Sequence, residues 1–227
     1  MTKRAEEAGD GLSIKSVVTP QEQSDFLELP YMLHRGLEHW VPPLRIAQKE
    51  ILDTRRHPVY KSMDVEKFIS YRYGKPAGRV MAIINHTHNE FHKEKAGFFG
   101  FFETINDAGV ASLLLDAARD WTFERGADLI RGPVSPSTNY ECGLLVDGFD
   151  RDPAIQMPYN PPYYASLIEG CGFSKAMDLY AYELDVEYFK SRDKIRRVAE
   201  RLKSRDGIRV RAVDLKQFKS EVAIVRS

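Results

Sequence analysis

The chain contains no apolar run approaching the roughly 18 residues that would cross a bilayer as a helix. Its opening, Met1 to Asp10, is charged and lacks the apolar centre of a secretory leader. A cytoplasmic protein, at most peripheral to the membrane, is the expectation. Cysteine is scarce: Cys142 and Cys171 are the two present, too few for a disulfide framework and without the Cys-x-x-Cys spacing of a zinc site. His86, His88 and His92 lie close together but lack the further ligand and ordered surroundings that zinc needs, so they read as a polar hairpin or loop and no metal is expected. Net charge is also absent, since 33 Lys+Arg balance 33 Asp+Glu. Without a global positive field, nucleic acid is not an expected partner. What remains is an ordinary globular composition, 43% hydrophobic and 29% charged over 227 residues, which fits one domain or one domain plus a piece.

Met1 to Gly11 reads as a frayed polar tail. Leu12, Ile14 and Val17 then alternate with Ser13, Lys15 and Ser16 as in a half-buried strand. Thr19-Pro20 supplies a capping residue and a proline at the first helical position, predicting a helix to about Gly36. The segment His39 to Leu44 breaks it, and Arg45 to Leu52 is a second helix. Two β runs follow, Val65 to Tyr73 and Arg79 to Asn85, joined through Gly74-Lys75-Pro76. A third, Gly97 to Glu103, carries four phenylalanines, and together they predict an antiparallel meander. Val110, Leu113, Leu114, Ala117, Ala118 and Trp121 recur with a helical period. Gly126 ends that helix, and Asp128 to Arg131 begins a strand. Gly132 to Pro162 holds six prolines and is too long for a passive connector, which marks it as functional. Tyr163 to Gly170 is a short helix, and Phe173 to Lys175 and Asp178 to Leu184 are predicted strands.

This order resembles the GNAT acyltransferase fold: a mixed, mostly antiparallel α/β sheet with helices on both faces. Asn106-Asp107-Ala108-Gly109-Val110-Ala111 resembles the GNAT pyrophosphate loop, Gln/Arg-x-x-Gly-x-Gly/Ala, where slim residues let helix N-terminal amides approach an anion. Asn106 departs from the usual Gln or Arg, and Asp107 adds a carboxylate; the alternative is an ordinary Asn/Asp helix cap. Ser166 to Phe173 resembles the Ala-Leu-Tyr-Glu-Lys-Leu-Gly-Phe segment of the family, with Ile168 in place of its proton-donating tyrosine. The Phe-rich strand, Asn139-x-Glu141-Cys142-Gly143 and Met157 to Tyr164 are similar to a bacterial tandem-GNAT subgroup that includes N-acyltransferases and bacterial ceramide synthases.

The resemblance implies transfer of an acyl group, long-chain in the subgroup's ceramide synthases, to a primary amine that is there lipid-like, with acyl-CoA or an acyl-carrier protein as co-substrate. The alternative it leaves open is a non-catalytic acyl-thioester or lipid-binding half that supports a second, catalytic repeat. It implies that Phe102, Thr104, Asn106, Ala108, Gly109, Val110 and Ala111 line the thioester site. Such chemistry needs a base for the ammonium proton and donors for the carbonyl and the thiolate. The candidates are Glu103 and Glu141 as base, Asn139 to polarise a carbonyl or hold a hydroxyl, and Tyr163 or Tyr164 as proton donor. Cys142 is a nucleophile only if a histidine is brought to it. Phe98, Phe99, Phe101 and Phe102 place rings on both strand faces, one pair under the helix and the other either core or the wall of an apolar channel. The Pro-rich loop is expected to pack across the strand splay and face Asn106 to Ala111.

Lys190 to Arg205 carries eight basic residues against Asp193 and Glu200, and Ile195, Val198, Ala199 and Leu202 fall on one helical stripe. Such a helix suits an anionic membrane surface, an acidic acyl carrier protein, or a solvated linker. Ile208 to Val213 alternates again and Asp214 is placed to cap a helix, which echoes the opening around Gly11 and Thr19. The expected organisation is a tail over 1–11, a GNAT-like domain over 12–188, a basic connecting helix over 189–206 and the truncated start of a second GNAT-like repeat over 207–227.

Overall fold

The computed structural model describes residues 6–8, 11–184, 192–203 and 211–226. They divide into two compact units, Met1–Leu179 and Tyr180–Ser227.

The first unit is built on a six-stranded sheet in the order β1 (Glu6–Ala8), β2 (Leu12–Ser16), β3 (Met63–Arg72), β4 (Lys75–Asn85), β5 (Ala96–Thr104) and β6 (Leu129–Arg131). Every neighbouring pair is antiparallel except β5 and β6, which run parallel because α4 (Ala108–Phe123) crosses over between them. Glu6–Ala8 corrects the expected frayed tail: it pairs with Leu12–Ile14 as an edge strand. The β3–β4 hairpin turns at Tyr73 and Gly74, both at positive φ (49° and 74°), as a two-residue connection requires. Lys75 and Pro76 already belong to β4.

Helix α1 (Pro20–Leu33) starts where the sequence places it. Thr19 Oγ1 accepts from Glu22 N at 3.2 Å, and Glu22 Oε2 accepts from Thr19 N at 2.9 Å, a complete capping box. Its buried face, Phe26, Leu27 and Leu29, covers one side of the sheet, followed by α2 (Arg45–Ile51). On the other side, α4 and α5 (Tyr163–Gly170) pack through Val110, Leu114, Ala118, Tyr164 and Ile168. The sheet is therefore covered on both faces, and Ala77 to Ile84 of β4 is buried without interruption.

Strand β5 contains a bulge. Arg79 faces Glu103 while Met81 faces Gly100, so Val80 stands opposite an extra residue, and Phe101 takes a φ of 49°. The bulge shifts the alternation by one. Phe98 and Phe101 fall in one buried cluster with Phe26 and Met81, whereas Phe99 and Phe102 fall in the other, under α4. Both pairs are core, so the pair away from α4, Phe98 and Phe101, packs in the core rather than walling a channel.

Three further expectations change. His86–His92 is a short helix, α3, rather than a hairpin or loop, because Asn85 Oδ1 accepts from His88 N at 3.0 Å and caps it. The Pro-rich segment contains a small hairpin, β7 (Val134–Ser135) with β8 (Glu141–Cys142). Phe173–Lys175 and Asp178–Leu184 carry no strand. A ladder needs a partner as well as alternating side chains, and β6 is paired only with β5; Phe173 is held instead by its ring, 5.3 Å from that of Phe99.

In the second unit, α6 (Arg192–Lys203) is amphipathic, with Ile195, Val198 and Leu202 exposed. Asp214 Oδ1 accepts from Lys216 N at 2.9 Å and caps a single 3-10 turn that leads into α7 (Phe218–Arg226). Of the stretch predicted as a strand, Ile208 to Val213, the described residues Arg211, Ala212 and Val213 carry no strand, and Ile208 to Val210 and both ends of the basic run lie outside the described residues.

Candidate functional site

Arg79 is the lone charge in the buried part of β4, and Glu103 stands opposite it across the bulge. A charge buried in a sheet needs a partner, and here four groups converge. Glu103 Oε2 lies 2.7 Å from His34 Nε2 and accepts from the Tyr164 hydroxyl at 2.7 Å. Glu103 Oε1 is 3.7 Å from Arg79 Nη2, and Arg79 Nη1 donates to the Phe26 carbonyl at 2.6 Å. His34 arrives from the end of α1, where its backbone N–H closes on Pro30 O at 2.9 Å. Burial alone would raise the Glu103 pKa; the contacts with His34, Arg79 and Tyr164 outweigh it and hold the carboxyl below the ordinary range. Burial and the adjacent Glu103 charge push the Tyr164 phenol well above its usual value, so Tyr164 is a protonated donor that in turn accepts from Thr104 N at 3.1 Å.

Of the predicted candidates, the structure joins Glu103 and Tyr164 directly. Tyr163 stands beside them, its hydroxyl donating to Thr104 O at 2.9 Å. Glu141 is close enough to feel both Glu103 and Arg79: burial and Glu103 raise its pKa while Arg79 lowers it, with a net rise. Asn139 is exposed in the β7–β8 connection, its backbone N–H donating to Ser137 Oγ at 3.3 Å. Cys142 is half-buried, and burial raises its thiol pKa, the opposite of an activated nucleophile. His34 and Arg79 were not among the candidates. Arg79 left a trace, a single arginine within Ala77 to Ile84; His34 left none, because its role depends on a contact across 69 positions.

The expected thioester groove holds parts of the chain itself. Phe101 N donates to Ser135 Oγ at 3.0 Å, and a Cβ on Gly100 would sit 1.5 Å from the Val134 carbonyl oxygen. The hairpin β7–β8 thus lies on β5 just beyond the point where β6 diverges, as expected for a loop packed across the splay. At the N-terminus of α4, Asp107 Oδ1 accepts from Val110 N at 3.0 Å, and Arg72 pairs with the same carboxylate. Asp107 acts as the helix cap. A Cβ on Gly109 would meet Asp107 Oδ1 and Leu12 Cδ1, each at 3.2 Å. Asn106 precedes the cap, Ala108 opens the helix, Val110 and Ala111 are fully buried, and Phe102 and Thr104 are core residues. As arranged, the Val110 amide is taken by Asp107 Oδ1, and the Asp107 carboxylate, paired with Arg72, stands beside this helix N-terminus.

An antiparallel meander, a bulged fourth long strand, a helical crossover and a parallel strand that splays away form one recognisable arrangement. The fold is GNAT-like. No family model matches the chain. It is 34% identical over 212 residues to bacterial ceramide synthase of Caulobacter vibrioides, covering 93% of this chain and 55% of that protein. It is 28% identical over 213 residues to Protein YghO of Escherichia coli, covering 94% and 54%. The chain spans about half the length of these curated relatives. Similar solved structures include an aminoglycoside acetyltransferase from an uncultured soil metagenomic sample in complex with sisomicin, at TM-score 0.46 and 10% identity, covering 79% of this chain and 100% of that one. AAC(6')-Iy in complex with a CoA bisubstrate analog is at TM-score 0.46 and 14% identity, covering 77% and 98%. Among the described residues of this GNAT-like chain, no group of three or more His, Cys, Asp or Glu side chains forms a metal site, and no helix is long and apolar enough to cross a membrane.

Proposed function

We propose that this GNAT-like chain is the acceptor-side half of an acyltransferase that moves an acyl group from a CoA or carrier-protein thioester to a primary amine, with a long-chain partner on one side. In this reading the thioester is held elsewhere, in a second repeat, and the present chain does not act alone. The observation that carries it is the filled splay: Val134 and Ser135 lie on Gly100 and Phe101, where a thioester would need open backbone amides. The Asp107 cap supports it, because CoA pyrophosphate would have to displace a carboxylate already bonded to the helix. Similarity to bacterial ceramide synthase over about half that protein's length supports both the amine acceptor and the longer product. The exposed basic helix α6 offers a surface for an acidic carrier protein or an anionic membrane, which suits a cytoplasmic enzyme working at a lipid boundary.

The test compares this chain with a longer product carrying the proposed second repeat. Each is incubated with a sphingoid base and either acyl-CoA or acyl-carrier protein, and amide is followed by mass spectrometry. Amide from the longer product alone is the expected result. Amide from this chain alone would refute the division of labour, and amide from neither would refute the acyl-transfer reading.

A further inference from the structure

Helix α6 is exposed from Asp193 to Lys203, and its residues are sorted by kind around the axis. With about 100° between successive residues, Ile195, Val198 and Leu202 share one narrow stripe, and they are 57%, 49% and 41% exposed. Lys194 and Arg201 border the stripe on one side, with Arg197 beyond them. On the other side Ala199 is followed by Lys203 and Arg196. Asp193 and Glu200, the acidic residues of the helix, fall together on the side away from the stripe. Arg196 Nη2 donates to Asp193 Oδ1 at 3.0 Å, so that cation turns toward the acidic side. From Asp193 to Lys203 five basic residues meet two acidic ones, a net charge of +3.

We infer that this face of α6 lies on an anionic lipid bilayer, with the apolar stripe entering the boundary between headgroups and acyl chains and the bordering lysine and arginine side chains reaching lipid phosphates. The order of residues around the helix selects this partner. A bilayer interface is apolar below, anionic at its surface and aqueous above, and α6 presents matching layers: an apolar stripe, cations on both flanks and carboxylates on the water side. An acidic carrier protein would pair with the cations wherever they stood on the helix and would leave the stripe in water. A protein core laid over the stripe would bury Lys194 and Arg201 at its border, and a buried charge needs a partner. Of the two partners named above for α6 this leaves the membrane, whether or not the chain transfers acyl groups.

Vesicle binding tests this without any reaction, so its failure and that of the proposed acyl transfer are separate results. The 227-residue chain is sedimented with sucrose-loaded vesicles of phosphatidylcholine alone or with about one third phosphatidylglycerol. The anionic vesicles are expected to bind about 10-fold or more tightly, because each cation near the charged surface adds to the attraction, and to release the chain as salt rises. Ile195→Ser combined with Leu202→Ser should weaken that binding about 10-fold. Both positions are exposed, so the fold, checked by circular dichroism, should hold. Glu200→Arg combined with Arg201→Glu keeps composition and net charge but moves an acid to the border of the stripe, and it should also weaken binding about 10-fold. In Val198→Trp, read against the wild type, the added emission should shift to the blue on anionic vesicles as the stripe enters the apolar boundary. No preference for anionic vesicles, an affinity unmoved by either double variant, no blue shift, or tighter binding to an acyl carrier protein than to the vesicles would overturn the inference.

Discussion

Replacing Arg79 by methionine keeps the volume of the side chain and deletes its charge. Arg79 is 3% exposed, its Nη1 bonds to Phe26 O at 2.6 Å, and its guanidinium lies 5.0 Å from the centre of the Phe26 ring. The loss removes one charge-assisted hydrogen bond, about 1.5–3 kcal/mol. It also takes one partner from a buried carboxylate, a change that typically costs roughly 3–5 kcal/mol in all. Glu103 keeps His34 and Tyr164, so the expected loss is at the lower end, about 3 kcal/mol. Urea unfolding followed by circular dichroism measures it. The pH dependence has a definite sign. The folded Glu103 pKa lies below its ordinary 4.5, so its stabilisation is present above that value and is lost as pH falls through the depressed folded value. Without Arg79 the depression relaxes, and the variant's deficit should be largest near neutral pH and shrink on acidification. Adding Glu103→Gln should recover part of the loss, because the uncompensated charge is then gone. A deficit under about 1 kcal/mol at pH 7, or one that grows as pH falls, would refute the view that Arg79 and Glu103 support one another.

Gly100→Ala puts a methyl group where the Val134 carbonyl lies 1.5 Å from the Cβ position, so a loss of about 1–3 kcal/mol is expected, with faster hydrogen exchange at the Phe101 amide as β7 is displaced. Unchanged exchange there would show that the hairpin is not seated on β5. Asp107→Asn keeps an acceptor for Val110 N but removes the charge beside Arg72; CoA binding by calorimetry should rise several-fold, and no gain would refute the blocked-anion reading. Glu141→Gln should leave stability within about 0.5 kcal/mol. Since burial and Glu103 raise the folded Glu141 pKa, ionised Glu141 disfavours the fold, and any difference should favour glutamine above the ordinary carboxylate range and vanish below it. A thermal melt at pH 7 showing a marked loss would make Glu141 a structural anchor.

Much of the fold is written locally. Thr19-Pro20 and Glu22 specify the start of α1, the period of Val110 to Trp121 specifies α4, and the β runs around Tyr73-Gly74 specify the central hairpin, because caps, helical spacing and turn residues act within a few positions. The candidate Glu103 was legible as a carboxylate ending an apolar strand. Its partners were not. His34 and Arg79 reach it through the packing of α1 on β4 and β5, and the one-residue bulge at Phe101 turns the Phe-rich strand so that both ring pairs enter the core. The sequence around Asn106 to Ala111 allowed either an anion loop or a capped helix; what it could not show is that the Asp107 cap is paired with Arg72, which only the tertiary structure brings to it from β3. The strands predicted over Phe173 to Leu184 failed for the converse reason: alternation sets which face a side chain takes, but a strand exists only where a neighbouring edge supplies its hydrogen bonds.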